Sequence, residues 1–236
     1  METEHLVPVT GGESVAVVHH GAGGDGWLFF CHGFLSDKTG SYEGRCREAV
    51  DRGYDAVRFD FRGCGESDGA FAESTLSARI ADLEAVVEYF DPEAFVLFGS
   101  SFGGAVALYG AVGDDRVEAL ATRAPVTYGA FEDLRATVEG EVRFDDGRAI
   151  DARFLDDLER HDFADVEAGL GPPVAIFHGR DDESVAIADS FRAAENLGGD
   201  VLVQAYAGEG HRFSRAAEAR MRRQLFEWLE VVGDRR

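Results

Sequence analysis

Short apolar runs alternate with stretches of helical periodicity along most of this chain. Leu6–Val9 and Ser14–His19 read as an opening hairpin joined through Gly11-Gly12. Trp27–Cys31 and Asp55–Phe59 are apolar strands flanking a predicted helix around Tyr42–Arg52. Thr75–Tyr89 sets Leu76, Ile80, Leu83, Val86 and Val87 on one face of a helix. Ala94–Phe98, Val117–Ala121, Pro173–Phe177 and Val201–Tyr206 are further strands, and Phe213–Val232 is a terminal amphipathic helix. Strands alternating with helices predict an α/β fold, a mostly parallel central sheet with helices on both faces. A chain of 236 residues can bury one large core, so a single domain over 1–236 is expected.

Residues 126–171 break the rhythm. Tyr128, Phe131, Leu134, Phe144, Phe154, Leu155, Leu158 and Phe163 are scattered there among many acids. A segment of this size can make one hairpin or two short helices, not an independent domain.

Gly99-Ser100-Ser101-Phe102-Gly103 lies between an apolar strand and the small-residue helical stretch that starts at Gly104. At a strand-to-helix turn, G-x-S-x-G bends the chain sharply and exposes the serine hydroxyl. Two later strands also end in ionisable residues. Pro173–Phe177 leads into His178-Gly179-Arg180-Asp181-Asp182, and Val201–Tyr206 leads into Gly208-Glu209-Gly210-His211. In an open parallel sheet the carboxyl ends of the strands converge on one crevice, so these distant positions can meet.

These motifs resemble those of the α/β-hydrolases, specifically the small single-domain serine esterases. H-G-x-x-D-x-x-V maps onto His178, Gly179, Asp182 and Val185, and G-x-G-H-x-F onto Gly208, Gly210, His211 and Phe213. H-G-F maps onto His32, Gly33 and Phe34, and D-x-R-G-x-G-x-S-x-G onto Asp60 through Gly69. The resemblance implies Ser101 as nucleophile, His211 as its base and Asp182 as the acid that orients the histidine. Asp181, adjacent, is the rival acid, and the family spacing favours Asp182. The resemblance also implies an oxyanion hole made by the backbone N–H groups of Phe34 and Phe102. Residues 126–171 fall where such enzymes insert caps over the site. Tyr128, Phe131 and Phe144 are then candidates to line an acyl or alcohol pocket. The competing reading is that these aromatics pin a connecting helix to the sheet.

Other motifs carry less. Gly63-Cys64-Gly65-Glu66-Ser67-Asp68 lacks the third glycine of a dinucleotide fingerprint and does not open a helix, so it reads as a rigid corner built with Asp60 and Arg62. His19, His20 and His32 lack the spacing and partners of a zinc site, so strand-end histidines are expected and no metal or cofactor is implied. Cys31, Cys46 and Cys64 form no C-x-x-C pair and suit a reducing compartment. No apolar stretch is long enough to span a bilayer, and the acidic, polar start is unlike a secretory signal, so a cytoplasmic protein without membrane insertion is expected.

Charge adds a second theme. The chain carries 45 acidic and 23 basic residues for a net charge of −22, and Lys38 is its sole lysine. No basic stripe exists to neutralise phosphates, which excludes a nucleic-acid partner. The acidity is spread along the chain and resembles that of proteins from salt-filled cytoplasms such as those of halophilic archaea. The carboxylates of the insert, among them Glu132, Asp133, Glu139, Asp145 and Asp146, are expected to repel anionic substrates. The expected partner is therefore a small-molecule ester, short-chain or aromatic, cleaved by a serine hydrolase. A thioesterase or small peptidase would use the same residues, and a noncatalytic ligand-binding protein could share the scaffold. Charges act over about 8 Å at ordinary ionic strength and about 3 Å at molar salt, so added KCl should relieve the self-repulsion. The unfolding temperature is expected to rise steeply between dilute buffer and molar KCl. A melting curve indifferent to KCl would refute the halophilic reading.

Overall fold

The computed structural model describes residues 1–128 and 141–233. In chain order its elements are β1 (Glu2–Pro8), β2 (Ser14–His20), β3 (Gly26–Cys31), α1 (Ser41–Asp51), β4 (Tyr54–Phe59), α2 (Leu76–Phe90), β5 (Phe95–Ser100) and α3 (Phe102–Gly110). There follow β6 (Val117–Arg123), β7 (Val142–Arg143), β8 (Ala149–Ile150), α4 (Ala152–Leu158), α5 (Phe163–Gly169), β9 (Val174–Gly179), α6 (Ile187–Asn196), β10 (Val201–Tyr206) and α7 (Arg215–Gly233). Every strand and helix expected from the pattern is present, most with ends shifted by a residue or two. Helix α6 carries too few buried residues, Ser190 and Ala193, to announce itself by an apolar stripe.

The main sheet has the order β1-β2-β4-β3-β5-β6-β9-β10. β1 and β2 pair antiparallel and join β4 antiparallel, and the remaining pairs are all parallel. The chain runs from β3 outward to β4 and then returns to lay β5 on the other side of β3. That reversal opens a crevice at the carboxyl ends of β3 and β5, where open α/β sheets bind their ligands.

Alternation along the strands divides the core. On one face Phe29, Val57, Leu97, Leu120 and Ile176 pack beneath α2 and α3. On the other, Leu28, Phe30, Ala56, Val96, Phe98 and Phe177 pack beneath α1 and α7. The period of two in Leu28–Cys31 therefore feeds both faces, as a doubly covered strand requires. Cys31, Cys46 and Cys64 are buried free thiols, and burial pushes the Cys46 thiol up to about 12. Among the described residues no helix is long and apolar enough to cross a membrane.

The described part of the insert holds both a hairpin, β7–β8, and two short helices, α4 and α5. Asp151 and Asp162 cap these helices by accepting from the amides of Arg153 and Ala164. Phe154 and Phe163 are buried in the core, so these two rings anchor the segment to the sheet. Phe144 packs edge-on against Phe34, with ring centroids 5.5 Å apart. Phe131 lies outside the described residues.

The glycine-rich segment after β4 forms the expected corner. The buried Asp60 carboxylate accepts from the Lys38 amide at 2.6 Å, from Lys38 Nζ at 2.6 Å and from the Glu66 amide at 2.9 Å. A Cβ at Gly65, where φ is +52°, would lie 2.1 Å from Asp60 Oδ2, so only glycine fits beneath the carboxylate. Arg62 clasps the fully buried Asp82 of α2 through its Nε and backbone N–H. Replacing one partner of a buried ion pair strands the other, at a cost of about 3–5 kcal/mol. Asp60→Asn is therefore expected to lower the unfolding free energy by about 3 kcal/mol, reduced from the top of that range because Glu66 still contacts Lys38. Urea unfolding measures it, and an unchanged midpoint would show that the corner does not depend on this charge.

Candidate active site

Ser101 follows the last residue of β5 and precedes α3, with φ +53° and ψ −122°. A non-glycine residue in this region is strained and has to be held by its surroundings. Here the Ser101 amide donates to the Arg123 carbonyl at 2.8 Å, and the Ser101 carbonyl accepts from Gly104 and Val126. The bend requires glycine on both sides. A Cβ at Gly99 would lie 2.2 Å from the Gly103 carbonyl oxygen, and one at Gly103 would lie 2.3 Å from the carbonyl oxygens of both Cys31 and His32.

Three of the residues singled out from the sequence meet at this point. His211 Nε2 lies 3.0 Å from Ser101 Oγ, and His211 Nδ1 lies 2.8 Å from Asp182 Oδ2. Asp181 is exposed and makes its contact through its backbone, donating to the Glu209 carbonyl. The Asp182 carboxylate is fully enclosed. Its Oδ1 accepts from the amides of Ser184 and Val185, and its Oδ2 from His211 and from His178 Nε2 at 3.2 Å. Burial alone would raise its pKa, but these donors outweigh that and hold the carboxyl below its ordinary range. His178 is held in turn. Its Nδ1 accepts from Ser190 Oγ at 2.7 Å, so Nε2 carries the proton shared between Asp182 and the Val185 carbonyl. Burial lowers the pKa of His178, because desolvation disfavours the charged ring.

The loop after β3 runs beside the serine. A Cβ at Gly33 would lie 3.5 Å from the Cβ of Ser101. The Gly33 carbonyl accepts from His32 Nδ1 at 2.8 Å and from Arg79 Nη1 at 3.4 Å, while Arg79 Nη2 donates to the Phe34 carbonyl at 3.2 Å. His32 Nε2 accepts from the Phe61 amide, which fixes the tautomer, and burial pushes the imidazole down to about 3. The Gly33–Phe34 peptide plane is thus held from its carbonyl side, which turns the Phe34 N–H the opposite way. Arg79 itself is fully buried, with the rings of Phe34, Phe61, Phe71 and Phe102 5.0 to 5.9 Å from its guanidinium carbon. Sequence reasoning did not find it. The signal was present, because position 79 falls on the apolar stripe defined by Leu76, Leu83 and Val86, where a lone arginine is out of place.

A cleft of about 1370 Å³ opens over Ser101 and His211. Among the described residues its apolar wall is short, comprising Phe34, Leu35, Tyr42, Val126, Val185 and Phe213. Two of the expected pocket aromatics lie elsewhere. The Tyr128 hydroxyl bonds Glu167, and its ring packs on Phe163 and Arg192, while Phe144 makes T-shaped contacts with Phe34 and Phe71. Of the acids expected near the site, Glu132, Asp133 and Glu139 lie outside the described residues, and the described lining is basic. Arg45, Arg47, Arg123, Arg212, Arg215 and Arg222 border the cleft, with Glu218 as the single acid among its described lining residues.

Known proteins share this architecture. Over 212 residues the chain is 26% identical to the human mitochondrial palmitoyl-protein thioesterase ABHD10, covering 82% of this chain and 69% of that protein. The structure of mouse ABHD10 superposes with a TM-score of 0.86 at 22% identity, covering 98% of this chain and 99% of that one. Est1E from Butyrivibrio proteoclasticus, solved with ferulic acid bound, superposes with a TM-score of 0.85 at 19% identity, covering 95% and 98%. Residues 17–155, from β2 into α4, match the family described as alpha/beta hydrolase fold, and with the sheet order and the turn at Ser101 this shows that the chain belongs to the alpha/beta hydrolases.

Proposed function

We propose that the protein is a serine hydrolase that cleaves carboxylic esters through an acyl-enzyme on Ser101. The observation that carries this reading is the continuous line from Ser101 Oγ through His211 to the enclosed Asp182 carboxylate. A serine hydroxyl is a weak nucleophile at its own pKa and needs a base within hydrogen-bond reach. His211 Nε2 accepts the proton as Oγ attacks the acyl carbon. Asp182, ionised, holds Nδ1–H and stabilises the imidazolium that forms. The proton then passes to the departing oxygen, and water attacks the acyl-enzyme with His211 again as base. The Phe34 and Phe102 amides are the donors assigned to the oxyanion. Arg79 and His32 act on the first of these by fixing its peptide plane. Removal of one such donor typically costs about 10²–10³ in rate.

The short apolar wall favours short-chain or aromatic acyl groups over long lipids. A thioester is a second reading for the same residues, favoured by the ABHD10 relatives, whose name records palmitoyl-protein thioesterase activity. Acyl transfer to serine is common to both.

Three outcomes test the reading. Ser101→Ala is expected to abolish turnover of p-nitrophenyl acetate and labelling by a fluorophosphonate, with an unchanged circular dichroism spectrum. Labelling that survives the substitution would move the nucleophile elsewhere, and wild-type protein that resists the probe would favour a noncatalytic binding role. Asp182→Asn should depress kcat far more than Asp181→Asn, since a wrong histidine tautomer costs about 10⁴ in rate. The reverse order would transfer the role to Asp181. Finally, kcat/KM for p-nitrophenyl esters from acetate to palmitate should peak at the short end, and a maximum at palmitate would reveal a long acyl channel.

A further inference from the structure

The arginines around the cleft have no use in the acyl-transfer mechanism. Within a chain that carries about twice as many acids as bases, arginines elsewhere find carboxylates readily. Arg52, Arg62, Arg116, Arg148 and Arg153 all lie within 4.0 Å of one. Around the cleft the pairing is sparser. Arg45 is neutralised by Glu218, which accepts from its Nε at 2.7 Å and its Nη2 at 3.0 Å. That pairing consumes the lone acid of the described lining. Arg123 donates to the His211 carbonyl and contacts no carboxylate among the described residues. Arg222 approaches Glu48 at 3.5 Å, yet its buried Nε makes no hydrogen bond. Arg47, Arg212 and Arg215 are exposed and form no ion pair among the described residues. A cleft with low-dielectric walls focuses such charge, so this part of a strongly anionic molecule attracts anions.

Direction follows from the chemistry at His211. The histidine must reach the departing atom to protonate it, so the leaving group rests on the His211 side of Ser101. Arg212 is the next residue in the chain, and Arg215 opens α7 three residues later. We infer that the cleft accepts an ester or thioester whose leaving group, the alcohol or thiol, carries a carboxylate or a phosphate held by Arg47, Arg212, Arg215 and Arg222. The inference rests on Ser101 as the nucleophile. The step balances as ordinary hydrolysis. The bond from acyl carbon to leaving atom breaks, the proton taken from Ser101 goes to that atom, and water releases the acid and restores the serine. Guanidinium forks suit both anions, because each presents paired oxygens to two N–H groups.

The test compares 4-acetoxybenzoate, its neutral methyl ester and 4-acetoxyphenyl phosphate. Each kcat/KM is divided by the ester's own hydroxide rate. The wild-type protein should favour at least one of the anions over the methyl ester by about tenfold, as expected when direct guanidinium hydrogen bonds hold the anion in the cleft. In the triple variant Arg47→Gln, Arg212→Gln, Arg215→Gln that preference should fall to near parity. Arg223→Gln, which pairs with Glu227 away from the cleft, should keep it. A faster phosphate identifies a phosphate-bearing leaving group, and a faster carboxylate identifies the other source. Parity in the wild type, or a preference that survives the triple variant, overturns the inference. A preference confined to mono(4-nitrophenyl) succinate, whose charge lies in the acyl part, overturns it as well. Calorimetric binding of 4-hydroxybenzoate against methyl 4-hydroxybenzoate in the Ser101→Ala background needs no turnover. Selective binding that is lost with the three arginines, in a protein that hydrolyses none of the esters, would reject the hydrolase reading and leave the anion site standing. Equal binding of both ligands would reject the site itself.

Discussion

The close approach of α3 to the end of β5 is the constraint on which the remaining geometry rests. It forces Ser101 into the left-handed region at φ +53°, a conformation that costs of order 1–3 kcal/mol. That strain is tolerated because β5 is buried along its whole length between β3 and β6. The same approach brings Gly103 against the carbonyls of Cys31 and His32, so the turn after β5 and the loop after β3 are packed backbone to backbone. The proposed nucleophile and the proposed oxyanion donor therefore belong to one rigid unit. A side chain at Gly103 would separate them without touching either.

Around this unit several buried polar groups are held by specific partners. His32 and Arg79 hold one peptide, His178 holds Asp182, and Arg45 reaches from Glu218 to Ser100 Oγ at 3.1 Å. Buried charges contribute little net stability, because desolvation offsets their attraction. Their value here is directional. An apolar core would fill the same space but would leave the Gly33–Phe34 peptide and the Asp182 carboxylate free to rotate. The fully buried guanidinium of Arg79 shows how this is managed without a carboxylate in hydrogen-bond contact, through carbonyl acceptors and the faces of surrounding aromatic rings.

What could be read in the sequence divides along physical lines. Strand positions were legible because two-residue alternation and continuous short apolar runs fit few local structures besides a strand. The meeting of Ser101, Asp182 and His211 was legible because parallel strands deliver their carboxyl ends to one edge. The insert was not. Its aromatics could equally anchor or line, and tertiary packing decides between the two: Phe154 and Phe163 anchor, Phe144 braces Phe34, and Tyr128 turns toward Glu167. The character of the cleft was hidden for a related reason. Summed charge reports the whole surface, whereas Arg47, Arg123, Arg212 and Arg222 come from three different elements and a loop that adjoin only in the fold.

The surface and the cleft therefore oppose one another electrostatically. At low ionic strength a net charge of −22 repels an anion over long range, and the cleft attracts it only once it has arrived. Screening changes the balance unequally. At molar salt the reach of an exposed charge falls to about 3 Å, which removes the long-range repulsion but spares direct guanidinium contacts within the cleft. An acidic protein of this kind can thus recognise an anion at high salt only by contact, with fixed geometry, and not by steering. Arginine meets that demand better than lysine, since its planar fork retains bidentate geometry after long-range attraction has been screened away. The near absence of lysine from the chain, and the use of its one lysine as a buried partner of Asp60, accord with that division of roles.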